Sequence, residues 1–183
     1  MRRSSSETKA IILAAARERF AADGYERATI RAIAADAGVD PGQVMRCFGS
    51  KDRLFAAACA IHLNLPDLLG TPSGEVATAL VRHFLELWES DETLQILLRT
   101  GVTNAAAAER MRTVFVAQLV PVAAALTGDP GGAPVRAGLV SAQILGMALC
   151  RYVLAIPPMV ALTREEVVEA IGPAVHRYLG LES

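Results

Sequence analysis

The chain has 183 residues, 52% of them hydrophobic, 5% aromatic and 20% charged, with a formal net charge of −1 at pH 7. That length holds one domain or two small ones around a real core. The Ala-rich, aromatic-poor composition has few alternating β-branched runs, which argues against a sheet protein and for an all-α fold. Three cysteines, Cys47, Cys59 and Cys150, have neither metal-ligand spacing nor a secretory context, so reduced thiols in a cytosol are expected.

Charge is unevenly spread. Met1 to Phe55 carries ten basic against seven acidic residues, +3, which leaves −4 for the remainder. A basic head on an acidic body suits a DNA binder, because Lys and Arg displace phosphate counterions.

Residues 1–6, MRRSSS, read as a flexible basic tail, or as an arm laid along a DNA minor groove. The apolar run from Ile11 to Ala16 is too short, and too closely flanked by Glu7 and Arg17, for a signal peptide. A helix is predicted over residues 7–23, with Ile12, Leu13, Ala16 and Phe20 on one face and Gly24 as its stop.

The stretch from Thr29 to Phe48 reads as two short helices joined by a tight turn. Thr29 is the first N-cap; Ile30, Ile33, Ala34 and Ala37 line one face; Gly38 closes the helix in the left-handed backbone. The second helix opens with Asp40 as N-cap, Pro41 at the first helical position, Gln43 as capping-box partner, and Val39 with Val44 as a staple. Val44 and Phe48 face inward, which turns Gly42, Gln43, Met45 and Arg46 outward. A helix-turn-helix requires this, since the start of its second helix enters the major groove.

On that reading Arg46 suits bidentate contact with guanine and Gln43 with adenine. Gly42 permits close backbone approach to a phosphate, and Thr29 and Arg31 suit phosphate contact near a helix N-terminus. Cys47, on the same helix, is a possible oxidant sensor, although unactivated cysteines usually only pack.

A further helix is predicted from the N-cap Ser50 through Leu54, Phe55, Ala58, Ile61 and Leu65. Lys51 in its first turn opposes the helix dipole, a placement that a DNA phosphate would relieve. PDLLGTPSG, residues 66–74, is a joint between head and body. Five body helices follow, over about 74–90, 91–100, 104–126, 134–156 and 163–179. Pro121 is expected to kink the third of these. The fourth is apolar nearly all round from Ala137 to Cys150, which predicts burial on two sides. Because Ser141 and Gln143 interrupt it and Arg151 stops it, no membrane span is expected.

His62, His83 and His176 lie far apart, and no catalytic triad, phosphate loop or metal-ligand pair appears, so no enzyme, cofactor or metal is expected.

The segment ETKAIILAAARERFAADGYERATIRAIAADAGVDPGQVMRCFGSKDRLFAAAC resembles the N-terminal DNA-binding domain of the tetracycline-repressor (TetR) family. The matching features run in order: a phenylalanine then AADGY, a threonine opening the next helix, IA followed by AGV, a glycine and a closing phenylalanine in the second helix, and GSK beyond it. The chain departs at Met45, where the family usually has a phosphate-touching tyrosine, and at Pro41, where a lysine is common. Arg31, Arg46 and Lys51 then carry more of the backbone contact.

The resemblance implies an all-α homodimer of about nine helices, with a tail at 1–6, a DNA-binding head at 7–66 whose motif spans 29–48, and a ligand-binding and dimerisation body at 67–183. The last two long helices would pair with their copies, through Gly138, Ala142, Gly146, Val168, Ile171 and Val175. Two-fold symmetry in turn implies a palindromic operator. It implies, too, a small hydrophobic effector in the body, walled by Phe84, Trp88, Phe115 and Met147 with His83, Arg99, Asn104, Gln143 and Tyr152 as polar anchors. The expected function is a cytoplasmic, effector-released transcriptional repressor. An activator is open from residues alone, as is a helical small-molecule-binding protein whose helix-turn-helix is only a structural corner.

Overall fold

The computed structural model describes residues 4–60, 62–90 and 92–181. The arm at Arg2 and Arg3, the stripe position Ile61 and the helix start at Asp91 therefore lie outside the described residues. Among the described residues the fold is all helical, with no strand. It divides into two compact units, Met1–Ile61 with Ile96–Met111, and His62–Gln95 with Arg112–Ser183.

The first unit begins with α1 (Ser5–Arg27), capped by Ser4 in a reciprocal capping box with Glu7. Gly24 sits at φ +73°, so the regular helix stops where a glycine stop was expected and a short turn follows. The helices α2 (Ile30–Asp36), α3 (Pro41–Phe48) and α4 (Lys51–Ala58) follow. Ile12, Ala16 and Phe20 of α1 close over Ile33 and Ala34 of α2, Val44 of α3, and Leu54 and Phe55 of α4, all buried. Burying each large side chain stabilises the unit by roughly 1.5–3 kcal/mol. Phe55 is the hub: Phe20 meets it edge-on at 4.9 Å and Tyr25 at 5.0 Å.

The helix expected to reach Leu65 ends at Ala58. Beyond it the backbone bonds of Leu63 leave the helical pattern, its N–H going to Gln118 Oε1 at 2.8 Å and its carbonyl to His83 Nε2 at 2.7 Å. Pro66 disfavours the helical region for Leu65, and Asn64 turns to φ +45°.

In the second unit α5 (Ser73–Ser90) packs Val76, Leu80, Val81, Phe84, Leu85 and Trp88 with α9 (Ala133–Ala148) and α11 (Arg164–Leu179). Thr163 and Glu166 form the expected capping box of α11. The helices α6 (Glu92–Gly101) and α7 (Ala105–Val114) cross the division of the chain, and Ile96–Met111 groups with the first unit. This differs from the head at 7–66 expected from sequence. Arg110 Nε reaches the carbonyl of Cys59 at 3.5 Å, a partnership between residues far apart in the chain.

Beyond α7 a π-helical turn, Phe115–Leu119, leads into α8 (Val120–Thr127). Pro121 thus acts one turn upstream of itself. It lacks an N–H and its ring would press on the carbonyl four residues back, and the widened turn relieves both problems. A second π turn, Leu149–Val153, extends α9, and the short α10 (Pro157–Ala161), not expected from sequence, leads to α11.

Contrary to expectation, the stretch Ala133–Val153 is long and apolar enough, by length and composition, to cross a membrane, and 33% of its apolar window is buried inside the chain. Within one chain α9 is buried on one side only. Val135 and Leu139 are 67% and 45% exposed, and Ala142 and Gly146 are exposed beside them.

Candidate nucleic-acid interface

The turn between α2 and α3 is built from local chemistry. Thr29 Oγ1 accepts the Ala32 N–H at 3.1 Å, and Asp40 Oδ1 accepts the Gln43 N–H at 3.1 Å. Gly38 takes φ +62° between the helices. Only the Asp40 half of the expected capping box forms. Asp40→Ala should destabilise the chain by about 1 kcal/mol, read as a lowered denaturation midpoint.

Val44 is fully buried and Phe48 partly so, and together they anchor α3 to the unit. Pro41, Gly42, Met45 and Arg46 are exposed, with Gln43 and Cys47 half-buried at the flanks. At 100° per residue, Gly42 and Arg46 stand at the centre of the outward face, with Met45 on one flank and Gln43 on the other.

The Arg46 side chain is 72% exposed, and its Nη2 lies 3.5 Å from Asp40 Oδ2. It crosses Gly42 on the way: a Cβ built there would stand 2.9 Å from Asp40 Oδ1 and 3.5 Å from Arg46 Nη1. The glycine therefore leaves room for the ion pair. Such an exposed pair is worth about 0–1 kcal/mol, so a base or phosphate can displace it.

Thr29 and Arg31 are exposed at the start of α2. Lys51 Nζ donates to the Glu26 carbonyl at 3.3 Å and lies 4.3 Å from the Tyr25 ring centroid. The Tyr25 hydroxyl donates to Asp52. Burial first, then that hydrogen bond, pushes the phenol up to about 12, so it stays a neutral donor. Asp40 as the partner of Arg46 and Tyr25 as the seat of Lys51 went unread in the sequence; a carboxylate six residues before an arginine across a glycine was the one available signal.

The residues expected around an effector fall in both units. Arg99 and Asn104 belong to the first, where Asn104 Oδ1 caps α7 through the Ala107 N–H at 3.0 Å. Arg99 there lines an open cleft of about 310 Å³ with Phe20, Tyr25, Ile96, Thr100 and Thr103. The second unit holds His83, Phe84, Trp88, Phe115, Gln143, Met147 and Tyr152. His83 holds the Leu63 carbonyl, while Phe84, Trp88 and Met147 are buried. Trp88 stacks on Tyr152 at 6.2 Å, and its buried Nε1 has no hydrogen-bond partner. Tyr152 donates to Glu89 at 2.9 Å. Burial raises that carboxyl, but hydrogen bonds from Arg164 and Tyr152 outweigh it and hold Glu89 below its ordinary value.

Of the residues expected at a dimer contact, Gly138, Ala142 and Gly146 lie on the outer side of α9, whereas Val168, Ile171 and Val175 are buried in the chain's own core. Among the described residues no group of three or more His, Cys, Asp or Glu could hold a metal.

Residues 12–58 match the family model described as bacterial regulatory proteins, tetR family, and residues 74–179 match that for the tetracyclin repressor-like C-terminal domain. The chain belongs to the tetracycline-repressor family. A TetR-family regulator from Streptomyces coelicolor is 26% identical over 98% of each chain, with a TM-score of 0.63. SmeT, solved with triclosan, is 25% identical over 92% of this chain and 90% of its own, with a TM-score of 0.69. A TetR-family regulator structure from Mesorhizobium loti shares the fold at 18% identity and a TM-score of 0.70, over 98% of each chain. No curated protein sequence matches the chain significantly. This TetR-family chain is a DNA-binding transcriptional regulator, and a helix-turn-helix kept only as a structural corner is not favoured.

Proposed function

We propose that this TetR-family protein is a cytoplasmic repressor that holds a palindromic operator as a homodimer and is released by a small hydrophobic effector. The observation that carries the DNA-binding part is the outward face of α3, where Arg46, Met45, Gly42 and Pro41 stand exposed on a helix anchored from behind by Val44. Arg46 leaves Asp40 to grip a guanine edge, Gln43 takes a neighbouring adenine, and Thr29 and Arg31 hold phosphates. With its oxygen occupied by Ala32, Thr29 still has its hydroxyl hydrogen to donate outward. Lys51 joins them by exchanging the Glu26 carbonyl for a phosphate oxygen.

The body, residues 67–183 apart from the 96–111 stretch that groups with the first unit, supplies dimerisation and effector binding. The exposed apolar stripe of α9 supports dimerisation: Val135, Leu139, Ala142 and Gly146 recur at helical spacing. A Cβ built at Gly138 or Gly146 would meet nothing within 4 Å in the chain itself. Glycine there suits close approach of a second helix. The buried Phe84, Trp88 and Met147, with Tyr152 stacked on Trp88, are the apolar and aromatic walls of the effector site in this reading, and the likeness to SmeT supports an effector.

Gel shift of the full chain on duplex containing its own promoter tests the reading. The expected result is a complex lost at high salt. Arg46→Ala should cost about 1–3 kcal/mol of binding and relax one operator position. A mutant that binds every site as the parent does places Arg46 off the interface.

A further inference from the structure

Resting on the DNA-binding role proposed for α3, we infer that Met45 is a sequence-reading residue that recognises a thymine through its 5-methyl group. On the outward face of α3, Met45 is the large apolar side chain left open, 43% exposed, whereas Val44 on the opposite side is fully buried. Its neighbours on that face carry other chemistry. Arg46 is tied across Gly42 to Asp40, which draws its guanidinium toward the N-terminal end of the helix. Gln43 lies on the far flank, roughly 160° round the helix from Met45 at 100° per residue.

A thioether has no N–H or O–H to donate, so Met45 cannot hold a phosphate oxygen. It is flexible and polarisable, and gains most by covering another apolar group. In the major groove the apolar group on the base edges is the thymine methyl. The recognition surface then has three parts across its width: an apolar finger for thymine, a cation for guanine and an amide for adenine. Met45 discriminates thymine from cytosine, which carries only hydrogen where thymine has its methyl and an amino donor where thymine has O4, and it contributes to affinity by covering the methyl group rather than by charge.

The experiment uses the full chain and duplexes selected by it from a randomised pool. Each thymine of the selected half-site is replaced in turn by deoxyuridine, which removes only the methyl group, and affinity is measured for the parent and for Met45→Ala. The expected result is one thymine per half-site whose replacement weakens the parent about four- to tenfold, as the loss of one buried methyl contact predicts, and leaves Met45→Ala unchanged. Met45→Leu, apolar but without the thioether reach, should retain part of the discrimination. Selection of a defined site in which no deoxyuridine replacement separates parent from Met45→Ala overturns the inference and leaves the DNA-binding role standing. Failure to enrich any duplex overturns both.

Discussion

Ala142→Arg should yield a folded monomer whose affinity for a full operator falls by about 10²–10⁴-fold, the loss expected when two linked half-site contacts become independent. Ala142 is exposed near the middle of α9, on the face that also carries Leu139 and Gly146, so an arginine there needs no rearrangement within its own chain. A second copy brought against the same face would meet a charge where it needs a close, apolar contact. Sedimentation of parent and variant reads the oligomeric state, and titration of full-site and half-site duplexes reads the avidity. The unfolding free energy of the monomer at low concentration should change by no more than about 0.5 kcal/mol, as for most surface substitutions. A variant that remains dimeric and binds the full site tightly would move the interface off this face. The α11 contribution then has to come from positions facing outward, such as Ala170 and Pro173, because Val168, Ile171 and Val175 are already occupied inside the chain.

Phe55→Ala should destabilise the first unit by about 3–5 kcal/mol, a large share of the stability of any small domain. Phe55 is fully buried and receives the edges of both Phe20 and Tyr25, so truncation removes apolar burial and two aromatic contacts at once. The consequence reaches function through geometry, because α4 holds the α1 side against which α2 and α3 are set. DNA binding should be lost at temperatures where the helical signal of the second unit persists, followed by circular dichroism alongside a binding assay. Phe55→Leu, which keeps most of the volume, should lose less than half as much. A loss below about 1 kcal/mol for Phe55→Ala, typical of a site that collapses or was never filled, would mean that the cluster does not organise the unit.

Many of the helix starts and turns were legible in the sequence, and the reason is the short range of the signals. Thr29, Asp40 with Pro41, Ser50, and Thr163 with Glu166 each declare a helix start within three or four residues, and all four cap where expected. Gly24 and Gly38 announce left-handed turns for the same local reason. The apolar period of α3 was enough to say which face points out.

What local chemistry could not contain was partnership. The helix after Ser50 stops at Ala58, and beyond it Gln118 and His83, distant in sequence, take up the backbone groups of Leu63. The contacts of Lys51 with Tyr25 and the Glu26 carbonyl, some 25 residues back in the chain, are not announced by the residues around it. An apolar period on α11 says that Val168, Ile171 and Val175 face something, and only the packed chain assigns that something to its own α5 and α9. Backbone preference is settled among residues a few bonds apart, so the chain spells out its own helices. The neighbour that covers each face is chosen by packing over tens of residues, and that choice exists only once the chain has folded.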